Sequence, residues 1–165
     1  MSANIRSMIP SDWPSVKEIY EEGIRSKNAT FETQAPTYEK WMETSHPNCH
    51  LVVETDGEVV AFAKVLYTSA RPVYAGVGEV SIYVHPKAKG KGVGKKLLNE
   101  LIRVSESQGF WTIKAVIFPE NEASIHLHKS CGFRLVGIHE RMGKMDGVWR
   151  DNVLLEKRSE IVGTD

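Results

Sequence analysis

The stretch Lys89-Gly90-Lys91-Gly92-Val93-Gly94-Lys95-Lys96 carries the strongest signal in this chain. Its alternating glycines stand between a strand-like apolar segment and the start of an amphipathic helical pattern. Glycine lets the backbone turn sharply and approach a ligand closely, and the first turn of a helix offers unpaired amide groups at the positive end of the helix dipole. With its lysines, the stretch therefore predicts a loop that binds phosphate groups. The alternative is a glycine-rich surface turn with solvated lysines.

Two familiar phosphate-binding motifs do not fit this loop. A Walker A loop, Gly-x-x-x-x-Gly-Lys-Ser/Thr, would need glycine in place of Lys89 and Ser or Thr in place of Lys96. A dinucleotide fingerprint, Gly-x-Gly-x-x-Gly, would need its third glycine in place of Lys95 or Leu97. The sequence therefore excludes both motifs at this position.

The segments around the loop predict a mixed α/β domain. After it, apolar residues at helical spacing form one face of a helix: Val93, Leu97, Leu98, Leu101 and Ile102. Before it, residues 51–54 and 59–67 flank Asp56-Gly57, the strongest short hairpin signal, and residues 79–84 alternate as a strand does. Further strands are predicted over residues 4–8, 111–118, 134–139 and 149–156, and further helices ending near residues 25, 44 and 130.

This order of elements predicts the fold class α/β (α+β mixed), with one central sheet and helices on its faces. No repeat or low-complexity segment interrupts the chain. We expect one domain over residues 1–158, followed by a polar C-terminal tail over residues 159–165.

The composition excludes several classes of protein. A chain of 165 residues with 41% hydrophobic and 25% charged residues fits one globular domain. Lys plus Arg and Asp plus Glu both number 21, and this balance argues against a nucleic-acid partner. The two cysteines, Cys49 and Cys131, lack the spacing of a zinc site or a disulfide framework, so no metal is expected. With no signal-peptide pattern and no apolar stretch long enough for a bilayer, we expect a cytoplasmic protein without a membrane partner.

Three linked motifs resemble the GNAT superfamily of N-acetyltransferases. Residues 89–94 resemble its pyrophosphate loop, Arg/Gln-x-x-Gly-x-Gly/Ala, with Lys89 in place of Arg or Gln. Residues 81–86, Ser-Ile-Tyr-Val-His-Pro, resemble the family's fourth strand and its exit, and residues 121–133 resemble its second cofactor motif. Within the superfamily, residues 5–157 are similar to the phosphinothricin/methionine sulfoximine acetyltransferase group. The similar pieces include residues 31–33, 79–84 and 143–151, and a histidine seven residues after Asn121.

The resemblance implies a fold and a reaction. The fold is a single domain whose mostly antiparallel mixed sheet of about seven strands is flanked by about four helices, with a splayed gap between the fourth and fifth strands. The reaction is direct transfer of an acetyl group from acetyl-coenzyme A to a small-molecule amine, with no metal. The relatives also imply a homodimer.

Two residues are candidates for catalysis. The resemblance places a catalytic carboxylate at Glu79, which is expected to act as a general base through a water, and burial would raise its pKa for that task. The alternative is an ordinary charge at a strand end. His128 occupies the place where many relatives have Tyr and would protonate the leaving sulfur; the alternative is a half-buried packing histidine.

The cofactor and substrate residues follow from the same resemblance. The cofactor residues comprise the strand that pairs with the pantetheine arm, the glycine loop and the start of a later helix: Ile82, Tyr83, Val84, Lys89, Gly90, Lys91, Gly92, Val93, Gly94, Lys95, Asn121 and Ser124. Asn121 alternatively only caps its helix, and Ser124 is alternatively a solvated helix residue. The substrate residues are Phe31, Arg71, Tyr74, Glu79 and Tyr83, with Arg71 as a bidentate carboxylate clamp or, alternatively, a solvated loop charge.

The expected substrate is the α-amino group of phosphinothricin, methionine sulfoximine, methionine sulfone or an analogue. The turn Met145-Asp146-Gly147 departs from some relatives and leaves the exact substrate open. Two alternatives remain, an acetyltransferase of a protein N-terminus or lysine and a coenzyme A-binding module without catalysis.

Overall fold

This computed structural model describes residues 3–165, which contain seven strands and four α-helices. The strands are β1 (Asn4–Ser7), β2 (Ser45–Thr55), β3 (Glu58–Tyr67), β4 (Val77–Val84), β5 (Thr112–Ile117), β6 (Arg134–Met145) and β7 (Val148–Arg158). The helices are α1 (Trp13–Arg25), α2 (Tyr38–Glu43), α3 (Val93–Ser107) and α4 (Glu122–Ser130). The first two residues of the expected domain lie outside the described part.

The strands form one sheet in the order β1-β2-β3-β4-β5-β7-β6. All neighbouring strands are antiparallel except β4 and β5, which run parallel. The sheet is therefore mixed and mostly antiparallel, and the expected fold class is confirmed.

The parallel pair β4 and β5 separates along its length. Only Val77, Gly78 and Glu79 pair with β5, opposite Thr112, Ile113 and Lys114. The rest of β4 continues to Val84 without a partner in β5, so the sheet splays open beyond Glu79. The expected gap between the fourth and fifth strands is present, and it leaves backbone hydrogen-bonding groups of β4 free to face a ligand.

Helix α3 covers one face of the sheet with the apolar residues that its sequence predicts. Val93, Leu97, Leu98, Leu101 and Ile102 are all buried, against strand residues such as Leu51, Ala63 and Val65. Burying one such side chain contributes about 1.5–3 kcal/mol. The glycine loop at the start of α3 is therefore attached to a firmly packed helix.

Helices α1 and α2 cover the opposite face. Val16, Ile19, Tyr20 and Trp41 pack there against Val52 and Phe62, which alternate along β2 and β3 with residues of the other core. Because paired residues of antiparallel strands share a face, Tyr83, Ser81 and Glu79 of β4 lie on this same face, opposite Phe62, Lys64 and Leu66. This face carries the candidate site.

Both predicted Asp-Gly turns connect hairpins. Asp56 and Gly57 have φ of 54° and 80°, and Asp146 and Gly147 have φ of 49° and 80°. Two successive positive φ values are what a tight two-residue hairpin turn requires, and Asp and Gly tolerate them. The β2–β3 and β6–β7 hairpins are therefore encoded locally.

Strands β2 and β6 extend furthest beyond their predicted bounds. Strand β2 begins at Ser45 rather than residue 51, and its pairing with β3 is irregular between Ser45 and His50, around Pro47. Strand β6 runs to Met145 rather than residue 139, across an irregularity where Arg141 has a φ of 52° and its N–H donates to Asp151 Oδ1 at 2.8 Å. Because polar residues and bulges interrupt the alternation of apolar and polar side chains, the sequence pattern does not reveal either extension.

The chain after β7 contacts the domain. The Ser159 N–H donates to the Trp111 carbonyl oxygen at 2.8 Å, and the Ser159 hydroxyl donates to Glu106. The division between domain and tail stays a prediction. In residues 3–165, no helix has the length and apolar character that a bilayer crossing needs.

Candidate active site

A cavity of about 760 Å³ opens where β4 and β5 separate. Its floor is the α1/α2 face of the sheet, with Lys64 and Leu66 of β3, residues 79–83 of β4 and residues 115–118 around the end of β5. Its walls are residues 28–32 of the loop after α1, Trp41 of α2, and Ser124 and His128 of α4. The structure therefore brings together Phe31, Glu79, Ile82, Tyr83, Asn121, Ser124 and His128 from the predicted set.

Glu79 lies at the point where the two strands part, opposite Leu66 on one side and Lys114 on the other. Burial raises the pKa of its carboxyl, and the positive charge of Lys114 opposes this only in part. No ion pair to Glu79 exists within residues 3–165. A carboxylate with a raised pKa and no ion-pair partner is suited to accept a proton near neutral pH.

His128 is buried in α4 and is held by the backbone of its own helix. Its Nδ1 donates a hydrogen bond to the Ser124 carbonyl oxygen at 2.7 Å, and its ring meets Phe133 edge to face. Burial lowers the pKa of the imidazole below 6.5, an effect that the bond to Ser124 opposes. The neutral form therefore has its proton on Nδ1 and an acceptor at Nε2. The general-acid role of His128 stays a prediction, and it would require a second proton on the ring.

Phe31 and Tyr83 give the cavity its aromatic walls. Phe31 packs perpendicular to Phe118 at a centroid distance of 4.8 Å, and a Cβ atom at Gly143 would stand 2.8 Å from the Phe31 ring. Tyr83 stacks on Phe62 at 5.2 Å, and its hydroxyl donates to the Ala29 carbonyl oxygen at 3.4 Å. Burial raises the pKa of Tyr83, so its phenol stays neutral.

The amide of Asn121 is already engaged at both ends. Its Oδ1 accepts a hydrogen bond from the Ser124 N–H, and its Nδ2 donates to the Asn28 carbonyl oxygen, both at 3.2 Å. Asn121 thus caps α4 and ties it to the loop after α1. Contacts of Asn121 and Ser124 with a cofactor stay predictions.

The glycine loop has the geometry of an anion site. Gly90 and Gly92 have φ of 75° and 76°, a conformation that other residues rarely adopt. Gly92 is the N-cap of α3 and supplies no side chain to cap it, so the first amides of the helix, those of Val93, Gly94 and Lys95, have no acceptor within the helix. The lysines of the loop are exposed. These residues fit the pyrophosphate of coenzyme A. Ile82 and Val84 turn their side chains toward the α3 core, and their contacts with the pantetheine arm stay predictions.

Two predicted substrate residues do not reach the cavity. Arg71 is exposed in the loop between β3 and β4, and its guanidinium lies 5.3 Å from the ring of Tyr74. Tyr74 itself is 45% exposed. Neither residue lines the cavity, because this loop extends into solvent beyond the strand ends. A role for them in binding substrate stays a prediction that this geometry does not support.

Lys64 also lines the cavity, although it is not among the site residues predicted from the sequence. This lysine is only 4% exposed, and its Nζ lies 3.3 Å from the centroid of the Trp41 ring. Burial lowers the pKa of its ammonium group to about 7. The signal in the sequence was a lysine within the apolar run of β3, two residues after Phe62.

Known proteins resemble this chain in sequence and in structure. Residues 13–133 match the acetyltransferase (GNAT) family. The chain is 32% identical to a phosphinothricin N-acetyltransferase of Alcaligenes faecalis, over 94% of this chain and 82% of that one. It is 31% identical to an L-methionine sulfoximine/L-methionine sulfone acetyltransferase of Pseudomonas aeruginosa, over 94% of each chain.

Among solved structures, a phosphinothricin acetyltransferase of the GNAT superfamily from Sinorhizobium meliloti, in complex with acetyl-coenzyme A, superposes with a TM-score of 0.86 at 31% identity. The match covers 100% of this chain and 97% of that one. Within residues 3–165, no three His, Cys, Asp or Glu side chains are grouped as metal ligands would be.

Proposed function

This chain belongs to the acetyltransferase (GNAT) family and is an acetyl-coenzyme A-dependent N-acetyltransferase, and we propose that it acetylates the α-amino group of a small amino acid. The proposed acceptors are phosphinothricin, methionine sulfoximine, methionine sulfone or an analogue, as the names of the relatives indicate. The observation that carries the proposal is the unpaired carboxylate of Glu79 at the mouth of the gap between β4 and β5.

Different residues of this chain bind acetyl-coenzyme A, accept the proton and stabilise the transition state. The glycine loop and the free backbone of β4 hold acetyl-coenzyme A, which supplies the acetyl group as a thioester. Glu79 takes a proton from the ammonium group of the acceptor, through a water, so that the amine becomes nucleophilic. A backbone amide of residues 82–84 donates to the carbonyl oxygen that becomes negative during transfer. Phe31 and Tyr83 exclude bulk water from the acceptor.

The size of the cavity favours a small acceptor. A volume of about 760 Å³ is that of a small-molecule site, and part of it must hold the end of the pantetheine arm. The remaining space, walled by Phe31, Trp41 and Tyr83, matches one amino acid better than a peptide chain.

The experiment is to measure free thiol released from acetyl-coenzyme A in the presence of L-methionine sulfoximine, L-methionine sulfone and phosphinothricin, with a basic peptide as the control. Turnover with the amino acids and not with the peptide is the expected result. Turnover with the peptide alone would overturn the proposed acceptor. No thiol release with any of the four compounds would contradict the proposed activity and leave only the family membership.

We also propose that the protein is a homodimer that acts in the cytoplasm and protects against toxic amino-acid analogues. Exposed apolar side chains on the edge hairpin support the dimer: Leu135, Val136, Ile138, Met142, Val148 and Trp149. A second copy of the chain would cover part of them, and sedimentation of the wild type against Ile138→Glu would test it. A wild-type monomer would contradict the dimer.

A further inference from the structure

Lys64 projects into the cavity from the middle of β3. It is directly opposite Ser81 of β4 and His50 of β2. Although the residue is only 4% exposed, no carboxylate within residues 3–165 forms an ion pair with it. An unpaired ammonium group at such a position is costly, because burial removes much of its water and the described residues return an aromatic contact with Trp41 in exchange.

The side chains around Lys64 provide its ammonium group with no carboxylate. His50 is buried beside it, with Nε2 bonded to Ser45 Oγ at 2.9 Å and no partner for Nδ1. The indole Nε1 of Trp41 also lacks a partner. These groups offer Lys64 no negative charge, so an acceptor for its ammonium protons has to come from outside the chain.

Two other cations, Lys40 and Arg71, can be compared with Lys64. Lys40 also lines the cavity, but its Nζ is paired with Glu43 at 3.3 Å. Arg71, the predicted carboxylate clamp, lies outside the cavity. Lys64 is therefore the lysine of the cavity lining that lacks a carboxylate partner in the described part of the chain.

The positions of Lys64 and Glu79 match the two charges of an α-amino acid. Lys64 pairs with Ser81 and Leu66 pairs with Glu79, so Lys64 and Glu79 are diagonal neighbours on one face of the sheet. Diagonal neighbours are separated by about 7–8 Å between backbones, which long side chains can span. An α-amino acid carries its ammonium and carboxylate on one carbon, so a single molecule between these side chains can offer its ammonium to Glu79 and its carboxylate to Lys64.

We propose that Lys64 binds the α-carboxylate of the acceptor and so makes the enzyme select α-amino acids over simple amines. This inference rests on the proposed function, and it assigns to Lys64 the role that the family resemblance implied for Arg71. The lowered pKa agrees with it, because a group that titrates near 7 in the free enzyme becomes fully charged when a carboxylate binds beside it.

The test compares Lys64→Met with the wild type on L-methionine sulfone and on its α-carboxamide. Methionine keeps the length and apolar stem that pack on Trp41 but removes the charge. We expect the wild type to show a KM for the carboxamide at least about tenfold above that for the free acid, the usual value of a charge-assisted hydrogen bond. In the variant this ratio falls to about one, with the KM for acetyl-coenzyme A unchanged.

Lys40→Met is the matched control, since it removes a lysine from the same cavity lining and is expected to keep the wild-type ratio. A ratio that Lys64→Met leaves unchanged would show that Lys64 only packs on Trp41, and would overturn the inference. A loss confined to phosphinothricin, whose side chain adds a second anion, would assign Lys64 to the side chain of the acceptor and overturn the α-carboxylate assignment.

Calorimetric titration with L-methionine sulfone, in the presence of coenzyme A, separates this inference from the proposed function. Binding to the wild type that Lys64→Met weakens by about tenfold or more supports the Lys64 assignment even if no acetyl group is transferred. Absence of turnover on every amino acid, with such binding intact, would overturn only the proposed activity. Equal binding to wild type and variant, or none to the wild type, would overturn the Lys64 assignment.

Discussion

Nδ1 of His128 donates a hydrogen bond to the carbonyl oxygen of Ser124, four residues earlier in α4, at 2.7 Å. A carbonyl oxygen only accepts, so this contact fixes the position of one ring proton. In the neutral ring Nε2 then has a lone pair and no proton. Burial favours that neutral form by lowering the pKa of His128 below 6.5. The contact therefore makes the proposed general-acid role testable by pH.

If His128 donates a proton from Nε2, it must do so as an imidazolium, and the rate must fall as pH rises through its lowered pKa. We expect instead no fall in kcat between pH 6.5 and pH 8, and a loss of less than about tenfold in His128→Gln. The measurement is kcat against pH for both proteins. A falling limb in the wild type that His128→Gln abolishes would establish the general acid.

Glu79→Gln tests the base. Because glutamine cannot accept the ammonium proton, we expect turnover to fall by roughly two orders of magnitude, with the affinity for coenzyme A nearly unchanged. The wild-type kcat/KM should rise with pH through a pKa above the ordinary 4.5 of a glutamate, since burial disfavours the charged carboxylate.

Glu58→Gln is the control for Glu79, since Glu58 is an exposed glutamate at the start of β3 and pairs with Lys87. Wild-type turnover is expected in that variant. If Glu79→Gln also turned over at the wild-type rate, Glu79 would have no part in proton transfer.

Gly92→Val tests the phosphate loop. A Cβ atom at Gly92 would meet no protein atom within 4 Å, but valine would have to adopt a φ of 76°, which costs about 1–2 kcal/mol. The added side chain would also occupy space in front of the free amides of α3. We expect coenzyme A affinity to fall by at least about tenfold, as measured by calorimetry.

Gly57→Val separates strain from ligand contact. Gly57 has a φ of 80° and equally open space, but it lies in the β2–β3 turn. Both variants should lose similar stability, and only Gly92→Val should lose coenzyme A affinity. Equal affinities in the two variants would contradict the assignment of the loop.

Features of the fold that are encoded by neighbouring residues could be predicted from the sequence. The apolar face of α3 and the Asp-Gly turns each depend on a few neighbouring residues, and both appear as predicted. The order of motifs gave the fold class and the splayed strands because those motifs resemble a known family.

Features that depend on distant partners are not visible in the sequence. The environment of Lys64 depends on Trp41, which belongs to α2 and packs on the same face of the sheet. The spacing of residues along β3 therefore does not reveal that Lys64 is buried beside an aromatic ring. The path of the loop carrying Arg71 is likewise set by tertiary structure, and no residue type in the loop indicates whether it turns toward the cavity.

His50 links the stability of the sheet to pH. It is 4% exposed, and burial, with smaller contributions from Lys64 and His46, lowers its pKa to about 4 from 6.5. Between pH 6.5 and pH 4 the unfolded chain therefore binds a proton at this position that the folded chain does not. The contribution of His50 to the free energy of unfolding is therefore fully present above pH 6.5 and is lost as the pH falls toward 4, a change of up to about 3 kcal/mol.

We expect His50→Gln to reduce this acid sensitivity, because glutamine has no proton to bind and its amide can still bond Ser45. The measurement is the free energy of unfolding in urea at pH 7 and at pH 4.5 for the wild type, His50→Gln and the control His126→Gln, whose histidine is exposed on α4. The drop in stability should be smaller in His50→Gln than in the other two proteins. An equal drop in all three would mean that His50 is protonated in the folded state, which the buried, unpartnered Nδ1 of this ring argues against.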